Sequence, residues 1–133
     1  MTNENSPSVK KTILIVDDVE SNVILLELFL KKYGYEVRRA SNGLSAIESL
    51  IIKEPDLILM DLQMPYIDGY EATHTIRSRR TSKYIPIIAV SALINEYNKD
   101  NLDSLGFDAY AMKPIDLSPT GLIASIRKLL GQT

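Results

Sequence analysis

Three runs of four apolar residues, ILIV (Ile13–Val16), LILM (Leu57–Met60) and IIAV (Ile87–Val90), each end abruptly on a polar side chain. The first stops at Asp17 and Asp18, the second at Asp61, the third at Ser91. Unbroken, β-branched runs of this length, flanked by turn residues, suit strands covered on both faces, as in a parallel sheet. A buried helix has similar composition, but these runs are short and bounded by turn signals, which favours strand. Two wetter segments, YEVRRA (Tyr35–Ala40) and AYAM (Ala109–Met112), predict further strands. Their charge and brevity place them at the sheet edges, where a backbone is only half paired.

Helical periodicity fills the gaps. Val19–Tyr33 puts Val23, Leu26, Leu30 and Tyr33 on one face, with Gly34 as a C-cap. Leu44–Lys53 aligns Ile47, Leu50 and Ile51 and is stopped by Pro55. Gly69–Arg80 turns Ala72 and Ile76 inward, and Asn95–Leu105 anchors through Leu102 and Leu105 before Gly106. Pro119–Leu130 follows Ser118 as N-cap and carries Leu122, Ile126, Leu129 and Leu130 as its stripe. Strand and helix alternate five times, which predicts an α/β, flavodoxin-like (βα)5 fold. With the greasy runs central, the parallel sheet takes the order 2-1-3-4-5. Residues 12–131 form one domain and residues 1–11 a flexible tail.

Composition narrows the function classes. A chain of 133 residues with 45% hydrophobic content supports one cored domain, and a net charge of -2 argues against direct nucleic-acid binding. There is no cysteine, hence no disulfide frame or thiolate metal site. No apolar run approaches the ~20 residues of a membrane span, so membrane insertion is not expected. The polar start lacks the apolar stretch of a secretory signal. These features predict a cytoplasmic protein.

In the predicted topology all strands present their carboxyl ends at one rim, where ligands bind. Asp17, Asp18, Asp61, Ser91 and Lys113 meet there, and one lysine offsets only part of three negative charges. Like charges this close force a proton onto one carboxyl unless a cation intervenes. An all-oxygen ligand set selects a hard ion, with Mg2+ first. Asp61 then becomes a carboxylate nucleophile able to form an aspartyl-phosphate. Lys113 and the metal neutralise phosphoryl oxygens, and Ser91 donates a hydrogen bond to one. Singly, these residues read as helix caps, turn residues and a solvated lysine; their joint arrival at strand ends carries the chemistry. His74 reads as a surface histidine. Arg77–Lys83 (RSRRTSK) reads as solvated cations offsetting a helix dipole. Met60, Met64 and Met112 read as gap-fillers near the core.

Four motifs in order, IVDD (Ile15–Asp18), LILMDLQMPYIDG (Leu57–Gly69), VSA (Val90–Ala92) and YAMKP (Tyr110–Pro114), resemble the response regulator receiver domain of two-component signalling. The resemblance runs over roughly residues 12 to 130. It implies that Asp61 is the phosphoacceptor and that Asp17, Asp18, Asp61 and the Gln63 backbone carbonyl hold magnesium. It implies that Lys113 bonds the phosphoryl group across a cis Lys113–Pro114 peptide, with Ser91 and Tyr110 as switch residues. It further implies a regulatory domain, not an enzyme, that promotes its own Asp phosphorylation and dephosphorylation. Its donor is a sensor histidine kinase or histidine phosphotransfer protein. A stand-alone receiver of this kind signals by contact with a downstream protein target.

Two features depart from the family pattern. The run IDLSPTG after Pro114 is about two residues longer than usual, and Leu93, two past Ser91, is apolar where the family often has a polar side chain. Two rivals remain. An aspartate-nucleophile phosphohydrolase of haloacid dehalogenase type needs a second Asp where Gln63 stands. A flavin carrier needs a phosphate loop after the first strand, where DDVESN is acidic.

Overall fold

The computed structural model describes residues 9–64, 67–79, 83–94 and 101–132. Five parallel strands, β1 (Thr12–Val16), β2 (Glu36–Ala40), β3 (Leu57–Asp61), β4 (Ile87–Ser91) and β5 (Ala109–Met112), form one sheet of order β2-β1-β3-β4-β5. This is the predicted flavodoxin-like order, with the two wet strands at the edges. Four helices are assigned among the described residues: α1 (Glu20–Lys32), α2 (Gly43–Ile52), α3 (Gly69–Ser78) and α4 (Leu122–Leu129). Residues 1–8 of the expected tail and residues 95–100 of the expected Asn95–Leu105 helix lie outside the described residues, as does Arg80.

Side chains alternate across each strand and so build two cores. Ile13, Ile15, Leu57, Leu59, Ile88 and Val90 face α1 and α4, meeting Val23, Leu26, Leu30, Leu122, Ile123 and Ile126. Leu14, Val16, Ile58, Met60, Ile87 and Ala89 face α2 and α3, meeting Ala46, Leu50, Ala72 and Ile76. Burying both faces is why Ile13–Val16, Leu57–Met60 and Ile87–Val90 carry no polar residue.

Edge strand β2 fastens a helix on each face. Arg38 donates to Ser49 O at 2.7 Å and to Lys53 O at 2.5 Å, closing the carboxyl end of α2. Arg39, on the other side, pairs with Glu27 at 2.5 Å and Glu20 at 3.2 Å on α1. Hydrogen bonds from Lys31 and Arg39 hold the Glu27 carboxyl below its ordinary range.

Several local expectations are corrected. Ile51 lies 73% exposed, because the inward face of α2 is Gly43, Ala46 and Leu50 with Ile47 alongside. Leu105 is exposed while Leu102 is buried, and Met112 points outward from β5. The last helix starts at Leu122, three residues later than predicted, and Ser118 does not cap it. Instead Asp116 accepts from Ser118 N through its carboxylate (2.9 Å) and from Leu122 N through its carbonyl (3.0 Å). The long IDLSPTG run folds into this turn. A Cβ on Gly121 would lie 2.2 Å from Asp116 O, so only glycine closes it.

Arg77 is also not a merely solvated cation. It donates to Gly106 O (3.0 Å), Ile85 O (2.8 Å) and the Asp108 carboxylate (3.0 Å), and lies 4.2 Å from the Tyr84 ring centroid. Asp108 in turn accepts from Tyr84 OH (2.7 Å) and Ile87 N (2.8 Å). One ion pair thus ties α3 to the starts of β4 and β5. Arg77→Met should lower unfolding free energy by about 2–3 kcal/mol, since it strands Asp108 and two carbonyls. Urea denaturation checks this; a loss under about 0.5 kcal/mol would assign Arg77 to the solvent after all.

Candidate functional site

The register of the central ladder assembles the rim. Val16 pairs with Met60 and Asp61 with Val90, so Asp17, Asp61 and Ser91 leave three adjacent strands at the same level. Asp17 N donates to Ala40 O (3.1 Å), Leu62 N to Val90 O (3.0 Å) and Lys113 N to Ser91 O (3.0 Å), extending the sheet's hydrogen bonding past its strands. Asp17, Ser91 and Lys113 are therefore tied to neighbouring backbone at the rim.

Carboxylate oxygens of Asp17, Asp18 and Asp61 lie within 4.8 Å of one another. Asp17 and Asp61 are buried, Asp61 to 3% exposure, and Asp18 is exposed. Lys113 Nζ stands 3.3 Å from Asp61 Oδ2 and 3.5 Å from Asp17 Oδ2, bridging the two buried acids. The Lys113–Pro114 peptide is cis. Gln63 N donates to Asp61 Oδ1 at 3.0 Å, and Val19 N donates to Asp17 Oδ1 at 2.8 Å.

Neither acid of the first loop serves as a helix cap. The N-cap of α1 is Val19, which has no side-chain cap bond. Charge is thus concentrated at the rim, not spent on the helix end. Burial pushes the Asp61 carboxyl above its ordinary value of 3.8, and the nearby Asp17 charge adds to this. The Gln63 N–H and Lys113 pull the other way without cancelling it. The ionised site lacks positive charge, and a divalent cation among three carboxylates supplies it. Hard oxygen donors fit Mg2+, with Asp17, Asp18 and Asp61 as the residues able to hold it.

Ser91 is buried at the end of β4, and its Oγ accepts from Leu93 N at 3.0 Å. That contact uses a lone pair and leaves the hydroxyl proton for an acceptor. Leu93 itself is exposed. Tyr110 projects from the outer side of β5, 37% exposed, and does not join the carboxylate cluster.

Two positioning residues had been missed. Asn22 Nδ2 reaches Asp17 Oδ2 at 3.4 Å from the first turn of α1. Gly69 starts α3 so close to β3 that a Cβ there would lie 2.2 Å from Asp61 O. Asp68, which caps α3 by accepting from Glu71 N at 2.9 Å, together with Gly69 forms a cap-then-glycine signal that could have marked this approach. No sequence signal marks Asn22. A cavity of about 170 Å³ lies beside the cluster, between Asn22 and Leu25 of α1 and Pro114–Leu117.

Comparison with known proteins agrees with this geometry. The chain is 36% identical over 121 residues to the polar-differentiation response regulator DivK of Brucella anthropi, covering 91% of this chain and 97% of that protein. A response regulator from Chloroflexus aurantiacus J-10-fl superposes with a TM-score of 0.85 at 31% identity, over 93% of this chain and 100% of the other. The receiver domain of a sensor histidine kinase from Pseudomonas aeruginosa PAO1, with a magnesium ion coordinated in its active-site cleft, gives 0.82 at 31% identity, again over 93% and 100%. The haloacid dehalogenase reading finds no support. Residues 13–127 match the response regulator receiver domain, and the chain belongs to that family.

Proposed function

We propose that this receiver is switched by reversible phosphorylation of Asp61. One observation carries the reading: three carboxylates within 4.8 Å, two of them buried, share a single lysine 3.3 Å from Asp61. Asp17, Asp18 and Asp61, with the Gln63 carbonyl, would hold Mg2+, which would supply charge neutralisation for the incoming phosphoryl oxygens. The cavity beside Asp17 and Lys113 leaves room for a donor side chain.

The step balances simply. An Asp61 carboxylate oxygen forms a bond to phosphorus while the N–P bond of a phosphohistidine breaks. The N–P electron pair stays on that imidazole nitrogen as a lone pair, and with the proton already on the other ring nitrogen the donor leaves as neutral histidine. Lys113 keeps one equatorial oxygen neutralised, and the Ser91 hydroxyl donates to another. Asp61 exchanges one negative charge for about -1.5 to -2. Ser91 then moves toward the phosphoryl group, and Tyr110, half exposed on edge strand β5, turns inward to reshape the outer face for a partner. The donor is a histidine kinase or histidine phosphotransfer protein of the cytoplasm, and the output is contact with a target protein.

With Mg2+ and a small acyl-phosphate donor, wild type should gain one phosphoryl group by intact mass, and Asp61→Asn none. Equal labelling of both proteins removes Asp61 from this role.

Electrostatics generate a second expectation. Asp61 has a folded-state pKa above its unfolded one, so its stabilising contribution is present at low pH and lost as pH rises through the folded value. At neutral pH without metal, ionised Asp61 therefore costs stability, and Asp61→Asn should melt higher than wild type. The difference should close as pH falls toward the ordinary carboxyl range. Saturating Mg2+, at about 100 times its Kd, should add about 2.7 kcal/mol to wild type, a rise of roughly ten degrees, and much less to the variant. Scanning calorimetry at several pH values checks both; a metal-free Asp61→Asn that melts lower contradicts the account.

A further inference from the structure

At the end of the sheet opposite Asp61, three cations gather in one groove. Before β1 and β2, beside the carboxyl end of α4, lies a groove of about 290 Å³. Its walls include Lys10, Lys11, Tyr33, Tyr35, Arg127 and Gln132, and among the described residues no carboxylate lines it. None of its three cations belongs to an ion pair among the described residues.

Cations at this end have an ordinary explanation, which falls short here. Lys31 and Lys32 close α1, and Arg127 and Lys128 close α4, where the helix dipole favours positive charge. Lys10 and Lys11 belong to no helix. The helix-end carbonyls, moreover, already have N–H partners: Tyr35 N to Leu30 O (3.1 Å), Gly34 N to Lys31 O (3.0 Å), Gln132 N to Arg127 O (2.7 Å) and Gly131 N to Lys128 O (3.2 Å). Gly34 and Gly131, at φ of 92° and 70°, permit those closing turns.

The groove is also ordered. The Arg127 guanidinium sits 5.3 Å from the Tyr33 ring centroid, which presents its planar fork in a fixed orientation. Tyr35 OH donates to Gln132 Oε1 at 2.5 Å and anchors the end of the chain on the groove floor. Burial pushes the Tyr35 hydroxyl above its ordinary pKa, with Arg127 pulling the other way, so the floor adds no negative charge at neutral pH.

We propose that this groove is a second anion site, independent of Asp61, that binds an oligophosphate group of diphosphate size or larger. Arg127 engages it through paired N–H donors, and Lys10 and Lys11 close over the remaining oxygens. Three cations in one groove suit a multiply charged ligand; a lone carboxylate leaves two of them uncompensated. The small patch, on a chain of net charge -2, does not form the long basic stripe that nucleic acid requires.

The test is a ¹H–¹⁵N NMR titration of the whole chain in magnesium-free buffer at constant ionic strength, with inorganic pyrophosphate and separately with ADP. Expected are saturable shifts confined to the amides around Lys10, Lys11, Tyr33–Tyr35 and Arg127–Gln132. The Lys10→Gln, Lys11→Gln double variant should bind about tenfold more weakly, a loss of about 1.4 kcal/mol. Arg127→Lys, which keeps the charge but loses the fork, should also weaken binding. Asp61→Asn should bind as wild type does, which separates this site from phosphorylation. Tighter binding of ADP identifies a nucleoside phosphate as the source; equal binding identifies free oligophosphate. Shifts that do not saturate and spread over Lys53 and Lys83 overturn the proposal. So do shifts centred on the Asp61 rim, or undiminished affinity in the double variant.

Discussion

The β1–β3–β4 register sets where Asp17, Asp61 and Ser91 leave the sheet. Val16 opposite Met60 and Asp61 opposite Val90 leave no slack in where the chain emerges from the sheet. A slip of one residue would turn each side chain to the other face. It would move Asp61 from beside Asp17 and drive core residues such as Met60 toward the rim. Because these strands are buried on both faces, such a slip disrupts both cores at once. The hydrophobic core therefore enforces an arrangement of carboxylates that electrostatics alone would disfavour.

That opposition explains the character of the site. Desolvation raises the cost of ionising Asp61, while Lys113 and the Gln63 N–H relieve only part of it. A fold that holds like charges close, with insufficient compensation, offers a hard cation a ready set of oxygen donors. Gly69 belongs to the same logic: α3 begins against the backbone of Asp61, at a distance only a glycine permits. At the other end of the sheet a groove gathers Lys10, Lys11 and Arg127, none of them in an ion pair among the described residues.

Legibility in the sequence followed the kind of force involved. The three central strands were readable because full burial permits only apolar residues until the rim, so the first polar residue marks the exit. Asp17, Asp18, Asp61, Ser91 and Lys113 were found by that rule. Residues whose placement depends on a partner far along the chain were not found. Arg77 resembled any solvated helix-end cation, yet its partners Ile85, Gly106 and Asp108 come from the segments before β4 and β5. Ile51 fitted a helical stripe, but α2 meets the sheet through Gly43, Ala46 and Leu50, which narrows its apolar face and leaves Ile51 outside. Ser118–Pro119 carried the local signature of a helix start, and the Asp116 turn overrode it.

By itself the sequence determined the strand order, the faces of the central strands and the identity of the acids at the rim. Those follow from alternation and burial, which act residue by residue along the chain. Only the tertiary structure decided the distances that make chemistry: Lys113 between Asp17 and Asp61, Asn22 reaching back to Asp17, α3 pressed against β3, and a cationic groove formed by both ends of the domain. Those contacts join different elements of the chain, and packing in three dimensions, not local pattern, sets their geometry.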